Sequence, residues 1–402
     1  MKVLMILDKE FPPDERVEKE AISLIKAGFE VLLVCLTFCK RERFEAYKNI
    51  QIVRININKT LRNKLFGLFL IFPFYKLFWK NKIINIIKEY NIKILHVHDL
   101  PLADVGVKLK NKYNLKLVCD QHEYFSNWIV NTATYNTFLG KIIKYFSNWE
   151  KYEKSYLPLA DLIITVEEPL RQCYINEVKI LPEKIITVPN TPNKEIFNTN
   201  NIDQRIINKY KNKYIIFYAG GIDTLRGIDV ILGSLKSLKS EIPNLKFVIA
   251  GTIYKGYDLI KNARKFGVED LIDFVGWVPL EKLPSYIFSS DICVFTPPST
   301  WKEINQTVAT KIYQYIAMGK PVIVSQAKMM KEFVLENKIG FAIKDMDSTD
   351  FTKKVLELYL NKQLSNTFIE NSKKMSRKYF WDETVDILIQ RYKSFKINED
   401  NS

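Results

Sequence analysis

Two short stretches, ILHVHDLP (residues 94–101) and LVCDQHEY (residues 117–124), decide the fold of this 402-residue chain. Each begins as an apolar, β-branched run, which is typical of a strand buried in a parallel sheet. Each then ends in polar, titratable side chains, namely His96, His98, Asp99, His122 and Glu123. Because ligands bind beyond the carboxyl ends of strands in an open α/β sheet, we predict a ligand site here. The alternative is that a histidine at a strand end caps a loop.

The composition is typical of an ordinary globular protein, with 47% hydrophobic and 26% charged residues. A chain of this length is large enough for two or three domains, each with its own core. Met1 runs directly into the apolar stretch VLMILD, so we expect a cytoplasmic protein. The five cysteines are scattered, and Cys35 and Cys39 have no histidine or second cysteine pair nearby. We therefore predict reduced thiols and no metal site there.

The formal net charge of +15 could reflect nucleic acid, an anionic membrane or a phosphorylated substrate. No recognition motif for RNA or DNA accompanies the charge, so we do not expect a nucleic-acid partner. Residues 59–93 contain eight Lys or Arg residues and one Glu, around the apolar run LFGLFLIFPFYKLFW (65–79). Pro73 and Lys76 interrupt that run too early for a spanning helix. The segment either docks peripherally on an anionic membrane or packs its aromatic side chains into the core.

Strand-like and helix-like patterns alternate along the whole chain, which is the rhythm of parallel βαβ units. The first series ends with KIITVPN (184–190), and a second series restarts at YIIFYAGG (214–221). We therefore predict two doubly wound α/β domains, residues 1–192 and 193–380. A C-terminal helix and polar tail, residues 381–402, are predicted to cross back to the first domain. Two such domains joined in this way would leave a cleft, a common place for ligands.

The stretch FYAGGIDTLRGID (217–229) has the composition of a phosphate-binding loop. Gly220 and Gly221 follow a strand, and Arg226 precedes a predicted helix. Glycines allow a backbone to approach a ligand closely, and a helix N-terminus offers unpaired N–H groups to an anion. Arg226 would add a forked donor for phosphate oxygens. The alternative is a tight turn without a ligand.

The stretch TVATKIYQYIAMGKPVIV (307–324) predicts a helix with an unusual first turn. Thr310 is predicted to N-cap the helix, and Gly319 to end it. Lys311 lies in the first turn, where a cation opposes the helix dipole. Such a lysine is better explained by a neighbouring anion than by solvent alone, although a solvated lysine remains the alternative.

Taken together, these segments resemble glycosyltransferase family 4, the retaining, nucleotide-sugar-dependent enzymes with the GT-B fold. The segments that carry the resemblance are FPPDERVEKEAISLIKAGFEV (11–31), ILHVHDLP, LVCDQHEY, ITVPNTPNKEIF (186–197), FYAGGIDTLRG (217–227), FVGWVPLEKLPSYIFSSDICVFTPPS (274–299) and TKIYQYIAMGKPVI (310–323). The resemblance implies a GT-B architecture of two doubly wound Rossmann-like domains facing across a cleft.

The resemblance also implies roles for individual residues. The catalytic residues would be His122, Arg226 and Lys311. The donor would be bound by Gly220, Gly221, Trp277, Val278, Glu303, Thr310 and Gln314. The acceptor side would be lined by Asp14, Arg16, His98, Asp99 and Glu123. For Asp14 and Arg16, the alternative interpretation is helix N-capping and a surface ion pair.

This chain departs from the family pattern at two places. Gly221 stands where the family's pyrophosphate loop usually has Arg, and Arg226 stands where it usually has Lys. Gln314 replaces the second Glu of the family's Glu-x7-Glu motif, which holds the ribose hydroxyls. The same spacing puts Gln306 at the first Glu, unless Glu303 takes that role through local realignment. A Gln can still exchange hydrogen bonds with hydroxyls, but it carries no charge.

The predicted function is transfer of a sugar from a UDP- or GDP-linked donor to a glycan or lipid-linked acceptor in cell-surface glycoconjugate synthesis. No cofactor or metal is predicted, since the DMD sequence (345–347) lies in a late turn. Arg226 and Lys311 would stabilise the departing diphosphate instead. The alternatives are a nucleotide-sugar epimerase of the same fold, which needs acid and base groups around the donor sugar, and a catalytically weak scaffold subunit. Donor hydrolysis or transfer by the purified protein distinguishes the enzyme from the scaffold.

Overall fold

A computed structural model describes residues 1–130, 140, 148–300 and 302–400 of the chain. By their contacts these residues form two compact units. The first unit runs from Met1 to Pro189 and also includes the residues from Val385 onward. The second unit is Asn190–Thr384. Each unit is a parallel sheet with helices, as the alternating sequence pattern predicts.

The first unit contains an eight-stranded sheet in the order β3-β4-β2-β1-β5-β6-β7-β8, in which β3 alone is antiparallel to its neighbour. Its strands are β1 (Lys2–Glu10), β2 (Glu30–Thr37), β3 (Phe44–Tyr47), β4 (Ile50–Asn56), β5 (Ile94–His98), β6 (Lys116–Gln121), β7 (Leu162–Thr165) and β8 (Ile185–Thr187). Its described α-helices are α1 (Glu15–Lys26), α2 (Lys59–Gly67), α3 (Phe74–Tyr90), α4 (Ala103–Tyr113), α5 (Phe125–Val130), α6 (Trp149–Tyr156), α7 (Glu168–Cys173) and, at the C-terminal end, α17 (Asp386–Asp400).

The second unit contains a six-stranded, fully parallel sheet in the order β11-β10-β9-β12-β13-β14. Its strands are β9 (Tyr214–Ala219), β10 (Leu245–Ala250), β11 (Ile272–Gly276), β12 (Ile292–Phe295), β13 (Val322–Val324) and β14 (Gly340–Ala342). Its described α-helices are α8 (Gln204–Tyr210), α9 (Ile228–Glu241), α10 (Leu259–Phe266), α11 (Leu283–Phe288), α12 (Thr310–Ala317), α13 (Lys328–Glu336), α14 (Ser348–Leu360), α15 (Lys362–Ser376) and α16 (Trp381–Thr384).

The central strands form because their residues are apolar on both faces. In β1, the six residues from Val3 to Asp8 are all buried, and in β5 all five residues are buried. Such strands suit the middle of a sheet that helices cover on both sides. Because β1, β5 and β6 are parallel neighbours, their carboxyl ends meet at one edge of the sheet. The prediction of two doubly wound α/β domains is confirmed.

The basic, aromatic segment 59–93 forms two helices, α2 and α3, joined by residues 68–73. Phe69, Tyr75 and Trp79 are at most 1% exposed and belong to the core of the first unit. Other apolar side chains of the same segment face outward, so neither sequence interpretation holds for the whole run. Within the described residues, no helix combines the length and apolar character that crossing a bilayer requires.

Candidate active site

The register between β5 and β6 builds the site of the first unit. His98 pairs with Asp120 across the two strands, and the backbone N–H of Asp99 donates to the Asp120 carbonyl at 2.9 Å. His96 and His98 are two residues apart, so they share one face of β5. Their rings stack with centroids 4.3 Å apart. The two histidine-bearing strand ends therefore do meet, as the sequence predicts.

Asp120 is the centre of this cluster. It is fully buried, and its carboxylate accepts hydrogen bonds from Arg16 Nε at 2.9 Å and Arg16 Nη2 at 2.8 Å. Its Oδ2 also lies 3.3 Å from His98 Nδ1 and 2.7 Å from His122 Nε2. Burial alone would raise the pKa of Asp120, but Arg16 and His122 lower the pKa well below its usual range. Asp120 is thus an ionised anchor for three surrounding side chains.

His122 lies between two carboxylates. Its Nε2 is bound to Asp120, and its Nδ1 is 3.2 Å from Asp99 Oδ1. Burial lowers the pKa of His122, but Asp120 and Asp99 outweigh burial and raise the pKa to about 9. The ring is therefore an imidazolium at neutral pH, and its 19% exposed side chain reaches the surface of the unit.

A second group of buried polar side chains adjoins Asp120. Glu20 lies 3.5 Å from His96 Nε2, and the His96 Nδ1 is 2.7 Å from the Tyr392 hydroxyl on α17. Burial and the Asp120 carboxylate raise the pKa of Glu20, while burial lowers the pKa of His96 well below its usual range. Burial therefore disfavours the charged form of both groups.

Four of these side chains have the geometry of a metal site. The ligand atoms of Glu20, His96, His98 and Asp120 all lie within 4.8 Å of one another. However, the Arg16 guanidinium already lies 3.0 Å from Glu20 Oε1 and 2.8 Å from Asp120 Oδ1. A dication beside this guanidinium would be strongly repelled in a buried site. We interpret the Arg16 guanidinium as the cation that neutralises this cluster.

The predicted acceptor residues divide into two groups. Arg16 is 4% exposed and His98 1% exposed, so both lie in the interior and hold Asp120 rather than facing a ligand. This placement corrects the acceptor role expected for them, because an acceptor would need to reach atoms that Asp120, Val188 and the strands enclose. Asp14 accepts from the backbone N–H of Val17 and N-caps α1, which was the alternative interpretation.

Asp99 and Glu123 come together with Asp14 around a lysine at the end of β1. Lys9 Nζ lies 3.1 Å from Asp99 Oδ2, and Asp99 and Glu123 are both partly exposed. Burial lowers the pKa of Lys9, but Asp99, Asp14 and Glu123 together raise it above its usual value. Hydroxyl-rich ligands are commonly bound by such sets of charged hydrogen-bonding groups. The acceptor roles of these three acidic residues remain predictions.

In the second unit, glycines bring two loops into direct contact beyond the ends of β9 and β10. The backbone of Gly220 has φ +137°, and a Cβ there would lie 2.4 Å from Lys311 Nζ. A Cβ on Gly251 would lie 1.8 Å from the Gly220 carbonyl oxygen. A Cβ on Gly221 would lie 2.3 Å from the ring of Tyr254. Side chains at these positions would block the close approach, so the glycines shape the site.

Lys311 is the central cation of this second site. It lies in the first turn of α12, with Nζ 3.4 Å from the Tyr218 hydroxyl, 4.4 Å from the Tyr218 ring centroid and 4.0 Å from the Phe295 ring centroid. Among the residues that the structure describes, no carboxylate forms an ion pair with it. Burial and the nearby Arg226 lower the pKa of Lys311 well below its usual value. An anion bound beside Lys311 would favour its charged form and would offset the effects of burial and of Arg226 on its pKa.

A cavity of about 440 Å³ opens beside Lys311. It is lined by Ala219, Gly220, Gly221, Ala250, Gly251, Thr252, Tyr254, Trp277, Val278, Leu283, Thr310, Lys311 and Gln314. Six of the seven residues predicted to bind the donor are therefore placed together. The prediction for the cap of α12 is wrong in detail, because Ala309 is the N-cap and Thr310 is the first helical residue. Thr310 still lies at the N-terminus that faces the cavity.

Three predicted donor-side residues lie elsewhere or are undefined. Arg226 precedes α9, with Nε 3.4 Å from Asp223 Oδ2, and is not part of the cavity lining. Gln306 is exposed, whereas Gln314 is 7% exposed and lines the cavity. Glu303 belongs to the short 3₁₀-helix Lys302–Gln306, and its side chain is outside the described part of the structure.

Sequence reasoning missed several residues that the structure brings into the two sites, among them Glu20, Asp120, Lys9, Gly251 and Tyr254. Asp120 and Gly251 carried the same signal as the residues that were found, since Asp120 is the penultimate residue of β6 and Gly251 directly follows β10. Lys9 lies at the end of β1 and could have been found in the same way. Glu20 and Tyr254 are placed by tertiary packing, and no local pattern identifies them.

Comparisons with known proteins identify the family of the chain. The family model "Glycosyltransferase Family 4" matches residues 16–193, and "Glycosyl transferases group 1" matches residues 199–375. An uncharacterized glycosyltransferase of Methanocaldococcus jannaschii is 24% identical over 366 residues, which cover 90% of each chain.

Solved structures share the fold over almost the whole chain. A sucrose-phosphate synthase from Thermosynechococcus elongatus superimposes with a TM-score of 0.76 at 15% identity, covering 99% of this chain and 100% of that one. The Anabaena protein HepE, solved in complex with UDP-glucose, gives a TM-score of 0.70 at 15% identity, covering 98% and 99%. The likeness to these structures shows that the two parallel-sheet units have the GT-B fold. Within that fold class, the chain belongs to the group 1 and family 4 glycosyltransferases.

Proposed function

We propose that this glycosyltransferase uses a nucleoside diphosphate sugar, UDP- or GDP-linked, as its donor. The observation that carries the proposal is Lys311, a partly buried cation at a helix N-terminus, beside glycine loops and a cavity of about 440 Å³. A helix N-terminus and a desolvated lysine both favour a diphosphate. The complex of HepE with UDP-glucose supports a donor of this chemical class.

The sugar–phosphate bond would break with negative charge accumulating on the departing diphosphate. Lys311 and the N–H groups that open α12 would stabilise that charge, together with Arg226, which lies outside the cavity lining but close enough to lower the pKa of Lys311. Gln314 and Trp277, both lining the cavity, would contact the ribose and the base. We propose retention of configuration through a front-face displacement, in which the leaving phosphate helps deprotonate the acceptor hydroxyl.

In the first unit, we propose His122 as the catalytic group and Asp14, Asp99 and Glu123 as acceptor-binding groups. His122 is suited to stabilise negative charge, because two carboxylates keep it protonated near pH 7. The acceptor would be a glycan or a lipid-linked sugar of the cell surface. We place the reaction in the cytoplasm, at the inner face of the membrane where the acceptor is lipid-linked.

Nucleotide binding and donor cleavage by the purified protein test the proposal together. We expect UDP or GDP to raise the melting temperature by mass action, and the matching sugar nucleotide to release nucleoside diphosphate. Lys311→Ala should lose both effects, whereas Lys331→Ala, which changes an exposed lysine of α13, should keep them. Binding without release or transfer would favour the scaffold alternative, and no binding at all would overturn the donor site.

We further propose that the reaction needs no metal ion, since Lys311 and Arg226 supply the positive charge. Asp345 and Asp347 of the DMD sequence are committed elsewhere: Asp345 accepts from Ser299, and Asp347 N-caps α14. Transfer should therefore persist in excess EDTA. Complete loss of activity in EDTA, restored by Mg²⁺ or Mn²⁺, would contradict this proposal.

A further inference from the structure

An apolar surface lies on the helical hairpin of the first unit. Nineteen large apolar side chains are exposed in the described chain, and six of them fall between residues 61 and 77. The six are Leu61, Leu68, Ile71, Phe72, Phe74 and Leu77, and we call them the hairpin face. Six exposed apolar side chains within 17 residues are a candidate interaction surface, because apolar residues that are exposed singly are normal and clustered ones need an explanation.

The hairpin face is separate from the core beneath it. Phe69 stacks on Trp149 with ring centroids 5.4 Å apart, and Tyr75 donates a hydrogen bond to Asp8. Lys76 Nζ lies 4.6 Å from the Phe69 ring centroid and 3.4 Å from Asp104. These contacts fix α3 and the connection that precedes it. The outer side chains are therefore not needed to hold the hairpin in place.

Phe72 and Phe74 form the tip of the hairpin face. Their rings stack 5.9 Å apart at an interplanar angle of 17°, with Phe72 47% and Phe74 62% exposed. Phe72 lies in the connection between α2 and α3, and Phe74 is the first residue of α3. Aromatic side chains are favoured at the boundary between lipid headgroups and acyl chains.

Basic residues border the hairpin face on both helices. Lys64 lies between Leu61 and Leu68 on α2, at spacings that place all three on one side of the helix. Lys80 lies one turn beyond Leu77 on α3, followed by the exposed Lys82. Within the described residues, none of these three lysines forms an ion pair. The border of the apolar face therefore carries unneutralised positive charge.

We propose that the hairpin face docks the first unit on an anionic lipid bilayer. The apolar side chains would enter the headgroup boundary while Lys64, Lys80 and Lys82 contact lipid phosphates. Charge complementarity selects this occupant over a second copy of the chain, since two such faces would bring like charges together. The inference is independent of the nucleotide site, because every residue that carries it lies in α2, α3 and their connection.

Vesicle sedimentation tests the proposal with the full chain. We expect binding to vesicles of phosphatidylcholine mixed with phosphatidylglycerol, little binding to phosphatidylcholine alone, and release at high salt. Phe72→Ser with Phe74→Ser should weaken binding at least about tenfold without lowering the melting temperature. Leu360→Ser, which changes a 76% exposed residue of the second unit, should have no effect. Phe69→Ser should lower the melting temperature, because Phe69 is in the core.

Charge variants keep the test decisive if the serine variant fails to fold. Replacing Lys64, Lys80 and Lys82 by Gln should weaken vesicle binding about fivefold for each lysine. Replacing the exposed lysines Lys211, Lys353 and Lys374 of the second unit is the matched control and should change binding little. Unchanged binding in the hairpin variants, or equal binding to zwitterionic vesicles, would overturn the proposal. A dimer in sedimentation velocity that Phe72→Ser with Phe74→Ser dissociates would also overturn it in favour of a self-association surface.

Discussion

Arg16 and Asp120, 104 positions apart in the chain, form a buried two-pronged ion pair. The Arg16 fork donates to both oxygens of the carboxylate, and its third nitrogen donates to the Val188 carbonyl at 2.9 Å. One guanidinium thereby joins the start of α1, the end of β6 and the residues after β8. The position of His122 depends on this arrangement, because Asp120 holds both Arg16 and His122.

Asp120→Asn should strongly destabilise the first unit. The change leaves Arg16 and the protonated His122 without their anion in a buried site, which typically costs about 3–5 kcal/mol. Urea unfolding followed by circular dichroism measures the loss. Asp270→Asn is the matched control, since Asp270 pairs with Lys239 on the surface, where ion pairs contribute little. An Asp120→Asn variant as stable as the parent would show that the pair is not a major structural contact.

His122 should remain protonated up to about pH 9. The chain has three histidines, so their ring protons can be followed individually by NMR and assigned with His122→Asn. We expect the His122 signal to titrate near pH 9, and the His96 signal to stay neutral well below the usual histidine range. A His122 signal that titrates near pH 6.5 would show that the two carboxylates do not hold its proton.

The raised pKa of His122 also determines how the free energy of unfolding changes with pH. The pKa of His122 is higher in the folded chain than in the unfolded chain, so folding takes up a proton between these values. The stabilisation is complete below about pH 6.5 and is lost as the pH rises through about 9. His122→Asn should therefore flatten the pH dependence of unfolding in that window.

Lys311→Ala and Arg226→Ala should each reduce kcat/KM by the equivalent of about 2–4 kcal/mol. That range is typical for removal of one preorganised donor from a developing anion. Steady-state transfer assays with a saturating acceptor measure the effect, and Lys331→Ala serves as the control for loss of a surface lysine. Near-normal transfer in both variants would remove the proposed role in stabilising the diphosphate.

Gln314 should bind the donor ribose despite lacking a carboxylate. Gln314→Glu should be tolerated or should improve UDP or GDP affinity, because either side chain can accept from a hydroxyl. Gln314→Leu should weaken affinity by about 1–3 kcal/mol, because buried hydroxyls would lose their partner. Gln306→Leu, at an exposed position, is the control. If titration calorimetry shows the Gln306 change to be the damaging one, the alignment of the motif is wrong.

The fold was predictable because local signals agreed along the whole chain. Buried β-branched runs, intervening helical patterns and glycines after strands all indicate parallel α/β units. The strand-end positions of His98, His122 and Gly220 followed from the same signals. Details at helix ends were less certain, since Thr310 and Ala309 differ by one position and either could serve as the cap.

The burial of individual polar residues was not predictable. Arg16 reads as an exposed residue in the first turn of α1, because Asp120 and Val188 come near it through tertiary structure alone. Phe69 and Phe72 have the same local composition, yet one is in the core and the other at the surface. The difference arises from the turn that separates α2 from α3. A reading of residues 65–79 as one continuous helix would not reveal it.

Because Tyr392 belongs to the first unit, that unit can be completed only after the second unit has been synthesised. The Tyr392 ring is fully buried against Phe29, and its hydroxyl meets His96, 296 positions earlier in the chain. A ribosome must therefore complete the whole of Asn190–Thr384 before the first unit can receive the helix that covers His96. All residues of the second unit are made before α17, so the second unit can be complete while the first unit still lacks its C-terminal helix. Until Tyr392 emerges, the nascent first unit therefore lacks the side chain that covers His96 and Phe29 in the folded chain.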